Sequence, residues 1–210
     1  MAPVADALRS LFAAPALVDC LQKLDGANHY AIQQVLYFFA VQTTDLHIDS
    51  WGVDTCPPGY AHTLWIPLQD LEYTSAVPMV APWPVGKVIT EADLGLPSEG
   101  AIAERYKRYH DALIGHVFKD RPEMVTAVVR KGDILVWTSL SPHLTMPAKH
   151  FPAKRLSLQV LVRPSHLRHG TFFYQPDEFH TTRMIRVSDR IGYSVSEDIA
   201  KTYGINDDSI

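Results

Sequence analysis

The chain has 210 residues, with 19 lysines and arginines against 23 acidic residues and a formal net charge of −4. This length suits one domain over residues 1–210, and the scattered basic residues offer no electrostatic footprint for nucleic acid or for an anionic membrane. No apolar run approaches the roughly 18 residues of a membrane span, and no basic segment precedes an apolar block at the N-terminus, so we expect a cytoplasmic protein.

The first third of the chain combines helical and extended patterns. Apolar side chains recur at helical spacing over residues 4–25, and Pro15 is expected to divide this helical cover into two pieces. Residues 31–42 are rich in β-branched and aromatic side chains without a helical stripe, which predicts a strand. A second strand is predicted over residues 62–68, with Pro67 at its end or on an edge because proline cannot donate a ladder hydrogen bond.

The middle of the chain is interpreted as a loop or lid region over residues 74–120. Four prolines and three glycines interrupt residues 74–100, and loops of that length in compact domains commonly cover or bind something. Residues 101–118 within this region are predicted to form a helix.

The last third returns to extended patterns, which predict strands at 124–129, 134–137 and 156–162 and in the tail around 171–174 and 184–187. Many short strands behind a helical N-terminus predict a mainly β fold with flanking helices, of the two-sheet barrel or jelly-roll type.

The triplet His47-Ile48-Asp49 suggests a metal site. Side chains alternate along a strand, so His47 and Asp49 are expected to point to one side and Ile48 to the other. One imidazole and one carboxylate make two thirds of the 2-His-1-carboxylate triad, which holds non-haem Fe(II) and leaves coordination positions open. A histidine in a core and an aspartate in a turn remain the alternative for so short a motif.

The third ligand is expected from a distant strand, because a small barrel brings remote strand ends together. His143 fits this role, since it follows the predicted strand at 134–137. The alternative is an exposed loop histidine.

Arg155 and Ser157 point to a carboxylate-binding site on the next strand. Residues 156, 158 and 160 are apolar, which places Arg155, Ser157 and Gln159 together on the other face. A guanidinium inside a barrel requires an anion, and its planar fork suits a carboxylate. The alternative pairs Arg155 with a surface acid.

Four segments in this order resemble the phytanoyl-CoA dioxygenase-like branch of the Fe(II)/2-oxoglutarate oxygenases. They lie within a core of about residues 31–163 and are His47-Ile48-Asp49, residues 64–70, residues 132–137 leading to His143, and Arg155-Leu156-Ser157. The resemblance implies a cupin-like double-stranded β-helix that uses Fe(II), 2-oxoglutarate and O2.

The resemblance also implies individual roles. The three catalytic residues would be the Fe(II) ligands His47, Asp49 and His143. Arg155 and Ser157 would bind the distal carboxylate of 2-oxoglutarate, and Trp65 would line the co-substrate pocket unless it simply fills the core. Three polar side chains are candidates for the 1-carboxylate: Gln34, Gln42 and Thr44.

The implied reaction is the oxidation, by default the hydroxylation, of a small molecule, with succinate and CO2 as co-products and a place in secondary metabolism. Family members commonly have an Asn-Gly turn and a Pro-Gly-Ser-His segment where this chain has residues 74–84, so the substrate does not carry over. Two alternatives remain: a cupin-like isomerase or binding protein that does not use 2-oxoglutarate, and an interaction module with a degenerate site. The protein is expected to be a monomer or a homodimer.

Overall fold

The fold begins with two helices that cover a sheet. In the computed structural model they are α1 (Ala2–Phe12) and α2 (Pro15–Asp25), so the predicted division at Pro15 is confirmed. Gly26 ends α2 in the left-handed conformation, with a φ of 78° that glycine adopts without strain. The structure describes residues 2–40, 43–71, 75–119, 123–126, 129–145, 155–170, 182–202 and 204.

Eleven strands are found within these described ranges. They are β1 (Tyr30–Phe38), β2 (Asp54–Cys56), β3 (His62–Pro67), β4 (Pro78–Val80), β5 (Val125–Thr126), β6 (Leu135–Thr138), β7 (His143–Thr145), β8 (Ser157–Pro164), β9 (Arg168–Gly170), β10 (Thr182–Arg186) and β11 (Ile191–Ser196).

Six strands form the main sheet, in the order β10-β11-β1-β8-β3-β6. Its neighbours pair antiparallel except β1 and β11, which run parallel. A smaller sheet has the order β5-β4-β7, and β2 pairs with β9. Proline at the last position of β3 agrees with the prediction for Pro67, because β3 lies between two partners and a missing donor is tolerated at a strand end.

The outer face of the main sheet packs against the N-terminal helices. Phe12 and Leu21 are fully buried against Leu64 and Val160 of the sheet. Burying such a side chain stabilises the fold by about 1.5–3 kcal/mol. The helical cover predicted from the sequence is therefore confirmed, and the opposite face of the sheet is left to form the site.

The region 75–119 contains β4 and one long helix, α3 (Ile102–Lys119), as predicted for residues 101–118. Tyr109 and Leu113 of α3 are buried against Ile48 and Leu140. The helix α3 thus packs against Ile48, which lies between the predicted metal ligands His47 and Asp49, and against Leu140, which lies three residues before His143.

The C-terminal part differs from the prediction. Residues 171–174 lie outside the described ranges, whereas the predicted strand at 184–187 belongs to β10. Strand β11 and the short helix α4 (Glu197–Thr202) were not predicted. Among the described residues, no helix is long and apolar enough to cross a membrane.

Candidate metal centre

His47 and Asp49 reach the same place by different backbone conformations. His47 forms an antiparallel bridge with His143, with an amide-to-carbonyl hydrogen bond of 2.9 Å in each direction. Ile48 is extended, and Asp49 then opens a short 3-10 helix that ends at residue 51. The expected strand therefore stops at Ile48, because the Gly52 amide bonds back to the Asp49 carbonyl.

The side chains of His47, Asp49 and His143 meet around one point. Asp49 Oδ1 lies 3.6 Å from His143 Nε2 and 3.9 Å from His47 Nε2, and all three ligand atoms lie within 4.8 Å of one another. Metal–nitrogen bonds of about 2.1 Å bring neighbouring ligand atoms about 3 Å apart, so small side-chain shifts suffice to hold an ion. The structure therefore brings His143 from a distant strand to the side chains of His47 and Asp49, and its role as the third ligand stays a prediction.

Each imidazole is oriented by a backbone carbonyl. His47 Nδ1 lies 2.7 Å from the Asp45 carbonyl oxygen, and His143 Nδ1 lies 2.9 Å from that of Ser141. Because a carbonyl only accepts, Nδ1 is the protonated nitrogen in both rings, and each Nε2 lone pair faces the site. Burial lowers the pKa of His143 against the opposing charge of Asp49, which favours the neutral, metal-binding form.

The two histidines differ in exposure. The side chain of His143 is 6% exposed and that of His47 is 32% exposed. The site therefore opens to solvent on the His47 side.

Asp49 is held through its second oxygen. Thr63 Oγ1 donates to Asp49 Oδ2 at 2.6 Å, and Trp137 Nε1 donates to the same oxygen at 3.1 Å. The Trp137 ring also lies beside His143, with centroids 4.8 Å apart. One carboxylate oxygen is thus fixed to the sheet, and the other faces the imidazoles.

A buried carboxylate joins the two segments that carry the ligands. Asp54 accepts hydrogen bonds from the hydroxyls of Ser50 and Ser139 and from the amides of Thr55 and Gly59, at 2.5 to 3.0 Å. Ser50 follows Asp49 directly, and Ser139 belongs to the segment that leads from β6 to His143. Burial raises the pKa of Asp54 to about 6, and the four donors oppose this shift.

A cavity extends from the histidines to Arg155. The described residues that line it are Phe38, Thr44, His47, Trp65, Pro78, Trp137, His143, Thr145, Arg155 and Gln159. The predicted pocket residue Trp65 is one of them, although it also packs in an apolar cluster with Trp137. Trp65 therefore lines the cavity and fills the core together, and its contact with the co-substrate stays a prediction.

Arg155 is buried at one end of the cavity. Its residue surface is 3% exposed, so the alternative of a surface ion pair is wrong. One guanidinium nitrogen donates to the Ala76 carbonyl, and the guanidinium carbon lies 5.6 Å from the centre of the Trp65 ring. Burial lowers the pKa of Arg155.

Two polar atoms, one on Arg155 and one on the residue two positions after it, lack partners in the part of the chain that the structure describes. They are Arg155 Nε and Ser157 Oγ, both buried. Arg155 has no carboxylate partner there either, and an unpaired buried guanidinium is unfavourable by several kcal/mol. The pair therefore has the chemistry of a site that an anionic group completes.

The candidates for the 1-carboxylate have different fates. Gln34 is exposed and does not line the cavity in the described structure, and it follows a bulge that shifts the register of β1 against β8. Gln42 lies outside the described ranges. Thr44 lines the cavity and its hydroxyl bonds that of Thr145 at 3.0 Å.

Three supporting residues were not foreseen from the sequence: Asp54, Thr63 and Trp137. Thr63 alternates with His62 and shares a face with Trp65 on the predicted strand, so its orientation was available from the two-residue period. No motif marks Asp54, whose four donors come from the 3-10 helix at Ser50, from β2 itself and from the loops at Gly59 and Ser139.

Comparison with known proteins places the fold. No family model matches the chain, and no curated protein matches it. Among solved structures, the non-heme alpha-ketoglutarate-dependent carbocyclase SnoK from nogalamycin biosynthesis aligns with a TM-score of 0.57 and 18% identity over 79% of this chain and 62% of SnoK. Alpha-ketoglutarate is another name for 2-oxoglutarate.

Two more structures share this architecture. The epimerase SnoN, in complex with Fe3+, alpha-ketoglutarate and nogalamycin RO, aligns with a TM-score of 0.54 and 18% identity over 92% of this chain and 72% of SnoN. EctD from S. alaskensis with bound Fe gives a TM-score of 0.54 and 17% identity over 79% of this chain and 56% of EctD. The chain spans less than two thirds of the length of SnoK and EctD. The likeness confirms the predicted double-stranded β-helix fold.

Proposed function

We propose that this protein is a non-haem Fe(II)/2-oxoglutarate-dependent oxygenase that oxidises a small molecule. The observation that carries the proposal is the cavity with two complementary ends. A His-Asp-His cluster lies at one end and the buried Arg155 lies at the other, and the buried hydroxyl of the nearby Ser157 has no partner among the described residues. A keto diacid has a group for each end: an α-keto acid that chelates a metal and a distal carboxylate that needs a cation.

His47, Asp49 and His143 would hold the iron, because two neutral imidazoles and one carboxylate are the donor set of non-haem Fe(II) oxygenases. When bound together, Fe(II) and 2-oxoglutarate supply with O2 the oxidation of a C–H bond, with succinate and CO2 as co-products. The carbonyls of Asp45 and Ser141 keep both Nε2 atoms directed at the ion. The carboxylate of Asp49 takes a coordination position that a halide would otherwise need, which argues against halogenation.

At the other end, Arg155 and Ser157 would bind the distal carboxylate of the co-substrate. The guanidinium has donors that the Ala76 carbonyl does not use, and the Ser157 hydroxyl adds one more. Trp65 lies against the guanidinium and closes one wall of the cavity, which excludes water from the ion pair. Ala76 presents its carbonyl from a φ of 54°, a strained conformation for alanine that supports a dedicated role for this contact.

The substrate would approach from the His47 side, where the cluster is open to solvent. Hydroxylation is the outcome that we propose first. SnoK and SnoN are described as a carbocyclase and an epimerase, so the fold accommodates other outcomes of the same chemistry. Both come from nogalamycin biosynthesis, which favours a small-molecule substrate of secondary metabolism here. Membership of the phytanoyl-CoA dioxygenase-like branch stays a prediction.

The test is anaerobic addition of Fe(II) and 2-oxoglutarate to the purified protein. We expect the weak visible charge-transfer band of a metal-bound keto acid, followed by succinate release when air and a library of metabolites are added. The Arg155→Ala variant should lose the band at limiting 2-oxoglutarate. Arg186→Ala is the matched control, because Arg186 is an exposed arginine on β10.

Two results would contradict the proposal. Fe(II) binding without the band in folded wild-type protein would favour the cupin-like isomerase or binding protein. Equal 2-oxoglutarate requirements of wild type and Arg155→Ala would remove Arg155 from the co-substrate site.

A further inference from the structure

The two oxygens of Asp49 have different surroundings, and the difference is built into the main sheet. Oδ1 faces the two imidazoles and has no hydrogen-bond donor among the described residues. Oδ2 accepts one hydrogen bond from Thr63 and one from Trp137. A carboxylate oxygen has two lone pairs in the plane of the group, so both acceptor positions of Oδ2 are used.

The two donors are neighbours on adjacent strands. Thr63 of β3 and Trp137 of β6 are directly paired in the antiparallel ladder, and both are buried. Directly paired residues project from the same face, so their side chains converge on one acceptor. Turning the Asp49 carboxylate would break both hydrogen bonds at once, while neither donor can follow without moving its strand.

We propose that Thr63 and Trp137 are positioning residues that restrict Asp49 to binding a metal through one oxygen. In a six-coordinate ion, two imidazoles and one carboxylate oxygen leave three positions, whereas a carboxylate that binds through both oxygens leaves two. A chelating keto acid needs two positions, so only the first arrangement leaves one for a further co-substrate. Metal binding through one oxygen of Asp49 does not depend on the proposed function. The use of the free positions by a keto acid and a further co-substrate rests on the proposed function.

The test counts water molecules on Mn(II), used as a spectroscopic probe for the metal site. Pulsed EPR in oxygen-17 water should find three exchangeable waters in the wild type. The Thr63→Val/Trp137→Phe double variant should show two, because Oδ2 is released and can join the ion. Mn(II) affinity should not fall, since the released oxygen is an additional ligand.

Conservative and matched variants separate this role from a structural one. Thr63→Ser keeps the hydroxyl and should retain three waters. Thr138→Val, which removes a buried threonine hydroxyl of the same sheet that does not contact Asp49, should also retain three. Three waters in the folded double variant, or a loss of its Mn(II) affinity, would overturn the inference.

If the double variant does not fold, the single variants decide. Thr63→Val should then give a mean water count between two and three, against three for Thr63→Ser, and equal counts would overturn the inference. Adding 2-oxoglutarate should lower the wild-type count to one and the double-variant count to zero. An unchanged wild-type count after this addition contradicts the proposed function but leaves the one-oxygen arrangement of Asp49 intact.

Discussion

The two ends of the cavity are built in opposite ways. At the metal end, Asp49 Oδ2 and the Nδ1 atoms of His47 and His143 are hydrogen-bonded, and the atoms left free converge on one point. At the other end, Arg155 Nε and Ser157 Oγ are buried without partners in the described structure. The first end is organised before an ion binds, whereas the second depends on a ligand to complete it.

This difference has an energetic meaning. A preorganised cluster loses little conformational freedom when it binds an ion, so its contacts favour affinity. A buried guanidinium without a counter-charge is unfavourable in the free protein and becomes favourable when an anion arrives. Removing the Arg155 charge should therefore weaken ligand binding but stabilise the ligand-free protein. No such gain in stability is expected from a substitution at the metal end.

The largest expected effect comes from removing a metal ligand. His143→Ala leaves one imidazole and one carboxylate, and we expect the affinity for Fe(II) to fall by more than about a hundredfold. The measurement is calorimetric titration under anaerobic conditions. His166→Ala is the control, because His166 is exposed and lies outside the cluster. Full affinity in the folded His143→Ala variant would move the third ligand elsewhere.

Arg155→Met sharpens the comparison, because binding and stability should change in opposite directions. Loss of the charge-assisted contact should weaken 2-oxoglutarate binding by about 2–4 kcal/mol. The same change removes an unpaired buried charge, so the free energy of unfolding of the ligand-free protein should rise by about 1 kcal/mol or more. Denaturant unfolding without ligand and titration of the iron-loaded protein with 2-oxoglutarate measure the two effects.

The critical result for Arg155→Met is a loss of 2-oxoglutarate affinity together with a gain in the stability of the ligand-free protein. If Arg155→Met lowers both stability and affinity, then the arginine supports the fold through Ala76 and Trp65, and the cavity end is complete without a ligand. Arg155→Lys should keep the charge but lose the planar fork, and should bind 2-oxoglutarate with an intermediate affinity.

The buried Asp54 joins the segments that carry the predicted metal ligands, and its ionised form should destabilise the fold. Its pKa rises on folding from 3.8 to about 6, so the folded state favours the protonated form. Protonated Asp54 therefore contributes stability that is fully present below about pH 4. This contribution is lost as the pH rises through 6 and the carboxyl ionises. Because one pKa unit corresponds to about 1.4 kcal/mol, the free energy of unfolding relative to Asp54→Asn should fall by about 2 kcal/mol between pH 4 and pH 7.

The measurement for Asp54 is denaturant unfolding of both proteins across this pH range, with the exposed Asp189→Asn as control. If the free energy of unfolding of the wild type relative to Asp54→Asn rises with pH, the prediction is wrong. That result would mean that the four donors outweigh burial and keep Asp54 ionised in the fold.

The clustering of His47, Asp49 and His143 could be predicted because the chemistry of a metal site is carried by residue types and spacing. His47 and Asp49 are close in sequence, and His143 follows a recognisable strand, so only the closing of the barrel had to be inferred. Arg155 and Ser157 were identified from the alternation predicted for residues 155–160. In the structure β8 begins at Ser157, and its Leu158 and Val160 pack in the outer core. Two-residue periodicity holds wherever a strand is regular.

Prediction failed where the backbone departs from that regularity. A bulge in β1 shifts its register against β8, and Gln34, which follows the bulge, is exposed. The contacts of Asp54 and the pairing of Thr63 with Trp137 depend on which turns and strands become neighbours. No local pattern records that information, and the parallel pairing of β11 with β1 was missed for the same reason.

Ser157→Ala against Gln34→Ala is the finest test of the difference between the two cavity ends. Ser157 Oγ is buried without a partner, so its hydroxyl should gain a hydrogen bond only when a carboxylate binds. Its removal should weaken 2-oxoglutarate binding by about 1.5 kcal/mol, the contribution of a hydrogen bond to a charged group, and leave the ligand-free stability nearly unchanged. Gln34→Ala should leave both quantities unchanged, because this side chain is exposed and outside the described cavity lining. Equal losses of 2-oxoglutarate affinity in the two variants would contradict this prediction. They would show that the exposed Gln34 of β1 also contributes to co-substrate binding.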